Sequence, residues 1–139
     1  MILYLDTSAL VKLYVREDGT DQTRARLADA SMVATSRVAY PEARAALARR
    51  QREAAITRNA LARAVAALDR DLAHFVVVEL SVRVARRAGA LAERRALRGF
   101  DAIHLSSALE VEHLTGSAGA FLCFDDRLSE AASAEGLSL

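Results

Sequence analysis

The run "ILYLDTSALVKLY", residues 2–14, changes character in its middle. Ile2, Leu3, Tyr4 and Leu5 form an unbroken apolar or aromatic segment, which is how a strand covered on both faces of a parallel sheet reads. Asp6 ends it with a carboxylate, and the hydroxyls of Thr7 and Ser8 follow at once. Leu10, Val11, Leu13 and Tyr14 then recur at the spacing of a helix face. Asp6 therefore stands where a buried strand hands over to a helix. In an open sheet that is the carboxyl edge, where ligands bind, and an acid there must meet a cation, hydrogen-bond donors or water.

The same arrangement returns near the other end of the chain. The apolar run Ala120 to Phe124 stops on Asp125, just before the helical "DRLSEAASAEG". Strand ends of a parallel sheet all point one way, so Asp6 and Asp125 are expected to converge on one crevice. An acid at such an end is more often functional than structural. Asp101 follows Gly99 at the start of a helical run, where by itself it reads as a cap for free amides. Glu42 follows Pro41, the only proline, and by itself reads as a solvated helix residue. Asp126 reads as the cap of the last helix.

Between these points strands alternate with helices. Short apolar or β-branched runs at 32–36, 74–80 and 119–125 predict three more strands, with "LSL" at the end as an edge. Helices are predicted over about 21–30 behind the turn Asp18-Gly19-Thr20, then up to 52, and over 55–72, 81–95 and 99–114, with a short one after 126. Pro41 has no amide hydrogen to donate, so the helix expected over 36–52 begins near it or has an irregular first turn. The pattern is that of an α/β fold, a parallel β-sheet sandwiched by α-helices, in a single domain over 1–139.

Composition narrows the function. At 139 residues and 53% hydrophobic content the chain supports one core and is too short for two. No apolar stretch approaches the ~20 residues that span a bilayer, and no basic region with a cleavage site precedes the first strand, so a cytoplasmic protein without a membrane partner is expected. The single cysteine, Cys123, has no internal disulfide partner and reads as a small apolar packing residue. A net charge of +1 excludes a global field toward nucleic acid or membrane. Lys12 is the only lysine and the other basic residues are all arginine. That removes a haloacid-dehalogenase-like phosphotransferase and a receiver domain, which both open with a strand ending in aspartate but need a later lysine. The first would also want an aspartate where Ser8 stands.

Four stretches, "LDTSALVKLY", "TSRVAYPEARAAL", "LRGFDAIHLSSAL" and "FLCFDDRL", resemble in this order the motifs of PIN domains, and within that family the VapC toxins of bacterial type II toxin–antitoxin modules. The resemblance covers Ile2 to about Leu128 and places the family's acids at Asp6, Glu42, Asp101 and Asp125. It implies a three-layer α/β/α fold and a Mg²⁺-dependent endoribonuclease, with Mn²⁺ as the alternative metal. Asp6 and Asp101 would be principal ligands; Glu42 and Asp125 would complete the shell directly or through water, one of them available to accept a proton from the attacking water. Implied partners are an RNA substrate, a VapB-like antitoxin and a second copy in a homodimer. The chain departs from the pattern at Cys123, where the family often has a hydroxyl. A catalytically silent PIN-like module that binds RNA or protein is the rival reading, and the presence of all four acids argues against it.

The chemistry agrees with the resemblance. Crowded carboxylates repel one another, and a divalent cation relieves the conflict. Mg²⁺ and Mn²⁺ favour oxygen ligands, and Mg²⁺ retains water and takes phosphate oxygens. Thr7 and Ser8 are expected to orient Asp6 or touch phosphate, with helix capping the alternative for Ser8. His104, on the same helix face as Asp101, is expected to bond to backbone rather than act as a base. Arg16, Arg37, Arg94, Arg95, Arg98 and Arg127 fall near the expected edge and are candidates for RNA phosphates. Arg49, Arg50 and Arg52 read as solvent-facing charges at a helix end.

Overall fold

Strand β1, Ile2–Leu5, is buried along its whole length, and its side chains divide by the period of two: Ile2 and Tyr4 enter one core, Leu3 and Leu5 the other. This computed structural model describes residues 1–139. Strands β2 (Met32–Ser36), β3 (Val76–Val78) and β4 (Gly119–Leu122) join β1 in a parallel sheet of order β3-β2-β1-β4. Helices cover both faces, as sheets built from parallel crossovers require.

On the Tyr4 face, Val84, Ala88 and Leu91 of α5 (Val82–Arg95), Ala102, Leu105, Ala108 and Val111 of α6 (Gly99–Thr115), and Leu128 of α7 (Asp126–Ala134) pack against the sheet. On the Leu3 face lie Leu10 of α1 (Thr7–Val11), Ala43 and Leu47 of α3 (Ala39–Arg52), and Ala64 and Leu68 of α4 (Arg58–Leu72). Each fully buried leucine contributes roughly 1.5–3 kcal/mol relative to exposure. Helix α2 (Thr20–Asp29) buries only Thr20 and Thr23. The result is the expected three-layer α/β/α architecture.

Several boundaries differ from the sequence reading. β3 occupies only Val76–Val78, because His74 and Phe75 are still turning out of α4 and bond back to Asp71 and Leu72. β4 stops at Leu122 rather than running to Asp125. The terminal "LSL" forms a single parallel bridge, Ala120 to Ser138, and no strand. α3 starts at Ala39, so Pro41 lies in the first turn, where a missing N–H costs nothing. Asp125 caps α7 through Leu128 N at 3.1 Å, so Asp126 is its first helical residue and not the cap. Arg50 is not a free surface charge: it reaches from α3 to Glu17 at 2.7 Å.

Gly19, the N-cap of α2, has φ +91°, and a Cβ on it would lie 2.6 Å from the Phe124 ring. Only glycine meets both constraints. The turn before α2 is thereby packed onto the segment that carries Asp125.

Candidate active site

Asp6 leaves β1 by donating its amide to Leu122 O at 3.2 Å, then turns and caps α1. Its Oδ1 accepts from Ala9 N at 3.0 Å and from Ser8 Oγ at 2.7 Å. Ser8 thus orients Asp6, and the cap of α1 is the acid itself. With 6% exposure this is a buried carboxylate. Burial pushes its pKa up; the Ala9 and Ser8 donors and His104 pull the other way, Asp101 adds to the rise, and the net shift is upward.

Thr7 departs from expectation. Its hydroxyl turns from Asp6 to Glu42 and donates to Oε1 at 2.6 Å. His104 Nε2 lies 2.9 Å from the same carboxylate oxygen and 3.0 Å from Thr7 Oγ1. On the other side of the ring, Nδ1 meets the Tyr4 hydroxyl at 2.9 Å. The expectation that His104 bonds to backbone is therefore wrong: the ring, 2% exposed, is held entirely by side chains. Burial would raise the Glu42 pKa, but hydrogen bonds from His104 and Thr7 outweigh it and leave the carboxyl lowered. Tyr4 was not singled out as part of the site in the sequence. No local spacing pairs it with His104, 100 residues further along the chain.

Asp101 sits in the first turn of α6 without capping it; the N-cap is Arg98, which makes no side-chain cap bond. Arg98 instead donates to Asp101 Oδ2 at 3.0 Å and places Nη2 3.8 Å from Asp125 Oδ2. These residues and Arg127 line an open cleft of about 410 Å³. Cys123 adjoins it, with Sγ 3.5 Å from Asp125 O and 3.1 Å from Ser129 Oγ. It packs against the core as expected, and adds these polar contacts. Burial pushes its thiol pKa up, and the charges of Asp6 and Asp125 push the same way. The largest surface groove, about 1050 Å³ between α3 and α4, holds none of the four acids.

The candidate arginines separate into two groups. Arg16 is paired with Asp21, Arg37 with Glu79, and Arg94 and Arg95 both with Glu135. Arg98 and Arg127 are the two that share the cleft with Asp101 and Asp125.

The acids thus form two linked subsites: Asp101 and Asp125 joined by Arg98, and Glu42 fixed by Thr7 and His104, with Asp6 coupled to both through Asp101 and His104. As arranged, no group of three His, Cys, Asp or Glu side chains stands ready to hold one metal ion. The donor chemistry nonetheless fits a hard divalent cation: the donors are carboxylate oxygens, one acid is buried, and a positive charge already sits between Asp101 and Asp125, supplied by Arg98.

Comparison with known proteins agrees with this fold. The family model described as PIN domain matches residues 3–134. Ribonuclease VapC45 of Mycobacterium tuberculosis (strain CDC 1551 / Oshkosh) is 41% identical over 140 aligned positions, spanning 97% of this chain and 92% of that protein. Ribonuclease VapC46 of strain ATCC 25618 / H37Rv is 35% identical over 99% of this chain and 95% of that protein. The chain belongs to the PIN-domain family, in its VapC-type ribonuclease branch. Among solved structures, that of Mycobacterium tuberculosis VapC20, a Sarcin-Ricin loop cleaving toxin, superposes with a TM-score of 0.68 at 21% identity over 93% of this chain and 94% of that one. A chain of VapBC2 from Rickettsia felis, bound to a DNA fragment from their promoter, gives 0.63 at 16% identity over 94% and 93%. At these identities the structures speak for the fold. No helix is long and apolar enough to cross a membrane.

Proposed function

We propose that the protein is a divalent-metal-dependent endoribonuclease, the toxin of a toxin–antitoxin pair, hydrolysing RNA phosphodiester bonds at Asp6, Glu42, Asp101 and Asp125. What supports this reading is that Arg98 pairs with Asp101 and lies 3.8 Å from Asp125, so that acids of separate elements share one cleft. The 41% identity to a protein named a ribonuclease supports the reaction class.

Mg²⁺, with Mn²⁺ as substitute, would be held by Asp6, Asp101 and Asp125, and would supply polarisation of the scissile phosphate and activation of a water. The chain's own groups do the rest. Ser8 and Ala9 N fix the Asp6 carboxylate. Glu42, kept ionised by Thr7 and His104, is held as a hydrogen-bond acceptor able to orient the attacking water. Arg98 and Arg127 present guanidinium groups at the cleft for substrate phosphate.

The same reading makes the protein cytoplasmic and homodimeric, with a VapB-like antitoxin restraining it. One observation favours the rival of a non-cleaving module, namely that no three ligands stand ready for one ion. Incubation with structured and single-stranded RNA in Mg²⁺ and in chelator decides between them. Cleavage that needs Mg²⁺ and falls at least about 100-fold in Asp6→Asn and Asp101→Asn fits the proposal. Binding without cleavage selects the silent module, and cleavage that survives chelator rejects both metal and mechanism.

A further inference from the structure

A chain of side-chain hydrogen bonds runs from the interior of the Tyr4 face to the candidate site. Tyr4 OH meets His104 Nδ1 at 2.9 Å, and His104 Nε2 faces Glu42 Oε1 at 2.9 Å and Thr7 Oγ1 at 3.0 Å. Its components come from β1, α1, α3 and α6, so it ties together the elements that carry Asp6, Glu42 and Asp101. Tyr4 is 1% exposed and stacks on Phe121, with ring centroids 5.5 Å apart, so its hydroxyl has one direction open to it.

Proton counting along this chain gives one assignment. The Tyr4 hydroxyl carries a proton and lies 2.9 Å from Nδ1. Ser107 Oγ, buried and otherwise unpaired, adjoins the same hydroxyl. An ionised carboxylate only accepts, and Glu42 Oε1 lies 2.9 Å from Nε2, so Nε2 carries a hydrogen and the neutral ring leaves Nδ1 bare to accept from the Tyr4 hydroxyl. The ring proton is then on Nε2, where two oxygens stand in range. Thr7 O–H donates to Glu42 Oε1 as well, so that one carboxylate oxygen receives two donors fixed on different helices.

We infer that His104 is a positioning residue for the proposed nuclease: its Nε2–H, backed by the Tyr4 hydroxyl on Nδ1, acts with the Thr7 hydroxyl to hold the Glu42 carboxylate in the orientation the reaction uses. His104 donates a hydrogen bond and transfers no proton. This deepens the nuclease reading and rests on it for the catalytic consequence, while the tautomer and the hold on Glu42 stand independently of turnover. The logic is that of partners that orient a functional carboxylate or imidazole from behind, whose loss costs about 10- to 100-fold in activity.

The test has two arms on the full chain. In ¹⁵N NMR of the wild-type imidazoles, His104 is expected to show a protonated Nε2 and an accepting Nδ1. A proton on Nδ1 in the wild type overturns the inference whether or not the protein cuts RNA. In Mg²⁺-dependent cleavage, His104→Leu is expected to lower kcat about 10- to 100-fold with little change in KM. His104→Gln, which keeps an N–H near the Nε2 position, should recover most of that loss at a similar melting temperature. Equal activity of the two variants, both folded, overturns the positioning role. If the wild type itself cleaves nothing, the nuclease reading fails, and the NMR arm still decides the tautomer.

Discussion

Arg98 donates to Asp101 Oδ2 across 3.0 Å, one helical turn away, from a side chain that is 81% exposed. A pair so open to water adds little to stability. Its consequence is electrostatic: the guanidinium occupies the space where a cation shared with Asp125 would sit. Arg98→Gln is therefore expected to leave the melting temperature unchanged and to tighten Mn²⁺ binding in calorimetric titration. Weaker or unaltered Mn²⁺ affinity would mean that Arg98 and the metal do not compete.

Arg127 lines the same cleft, whereas Arg16 is already engaged by Asp21 at 3.1 Å. If Arg127 contacts an RNA phosphate, Arg127→Gln in a non-cleaving Asp6→Asn background weakens binding and lowers the salt slope of log K by about 0.7. Arg16→Gln should leave the slope alone. Identical slopes for all three proteins would remove Arg127 from the interface.

Glu17 receives Lys12 Nζ at 3.0 Å and Arg50 Nη2 at 2.7 Å, joining the turn before α2 to α1 and α3. Burial alone would raise its pKa; the hydrogen bonds from Arg50 and Lys12 prevail and lower it. The folded value then lies below the unfolded one of about 4.3, so the stabilisation is present above pH ~4.3 and is lost as pH falls through the folded pKa. Glu17→Gln should cost roughly 1–3 kcal/mol near neutrality and flatten the stability curve in acid. Urea titrations of both proteins at several pH values between ~3 and ~7 make the comparison. Parallel curves would show that the pair does not contribute.

The sheet and the acids were legible because each follows from a local rule. The unbroken run Ile2–Leu5 reads as a doubly covered strand, and Asp6 follows directly at its carboxyl end, the edge where such sheets bind ligands. What the sequence did not disclose was set by contacts across the fold. Asp125 and Asp126 compete for one cap, and the choice depends on where the backbone turns helical: Asp125 is still extended and accepts from Leu128 N. Thr7 and Ser8 are chemically alike, yet the helical rotation between them sends one to Glu42 and the other to Asp6. The pairing of His104 with Tyr4 joins residues from opposite ends of the chain, and no local spacing reports it. The arginines were the least legible, since proximity to the edge says nothing of whether an acid such as Glu135 has already claimed them.

Asp6 gives the sharpest thermodynamic test of a cation in this site. Burial, reinforced by Asp101 and opposed by Ala9 N, Ser8 and His104, raises its pKa above the unfolded value. A carboxyl shifted this way favours the fold below its unfolded pKa of about 3.9, and that contribution is lost as pH rises through the folded pKa. Near neutrality the ionised group therefore weakens the metal-free protein. Asp6→Asn keeps an oxygen to accept from Ala9 N and Ser8 Oγ and removes the charge, so in chelator it should melt above the wild type, with the difference vanishing in acid. Mg²⁺ at ten times its Kd should stabilise the wild type by about 1.4 kcal/mol and the variant hardly at all. Thermal scans with and without metal read both effects. A variant that melts lower in chelator would show that hydrogen bonding outweighs charge at Asp6, and an equal metal shift in both proteins would put the cation elsewhere.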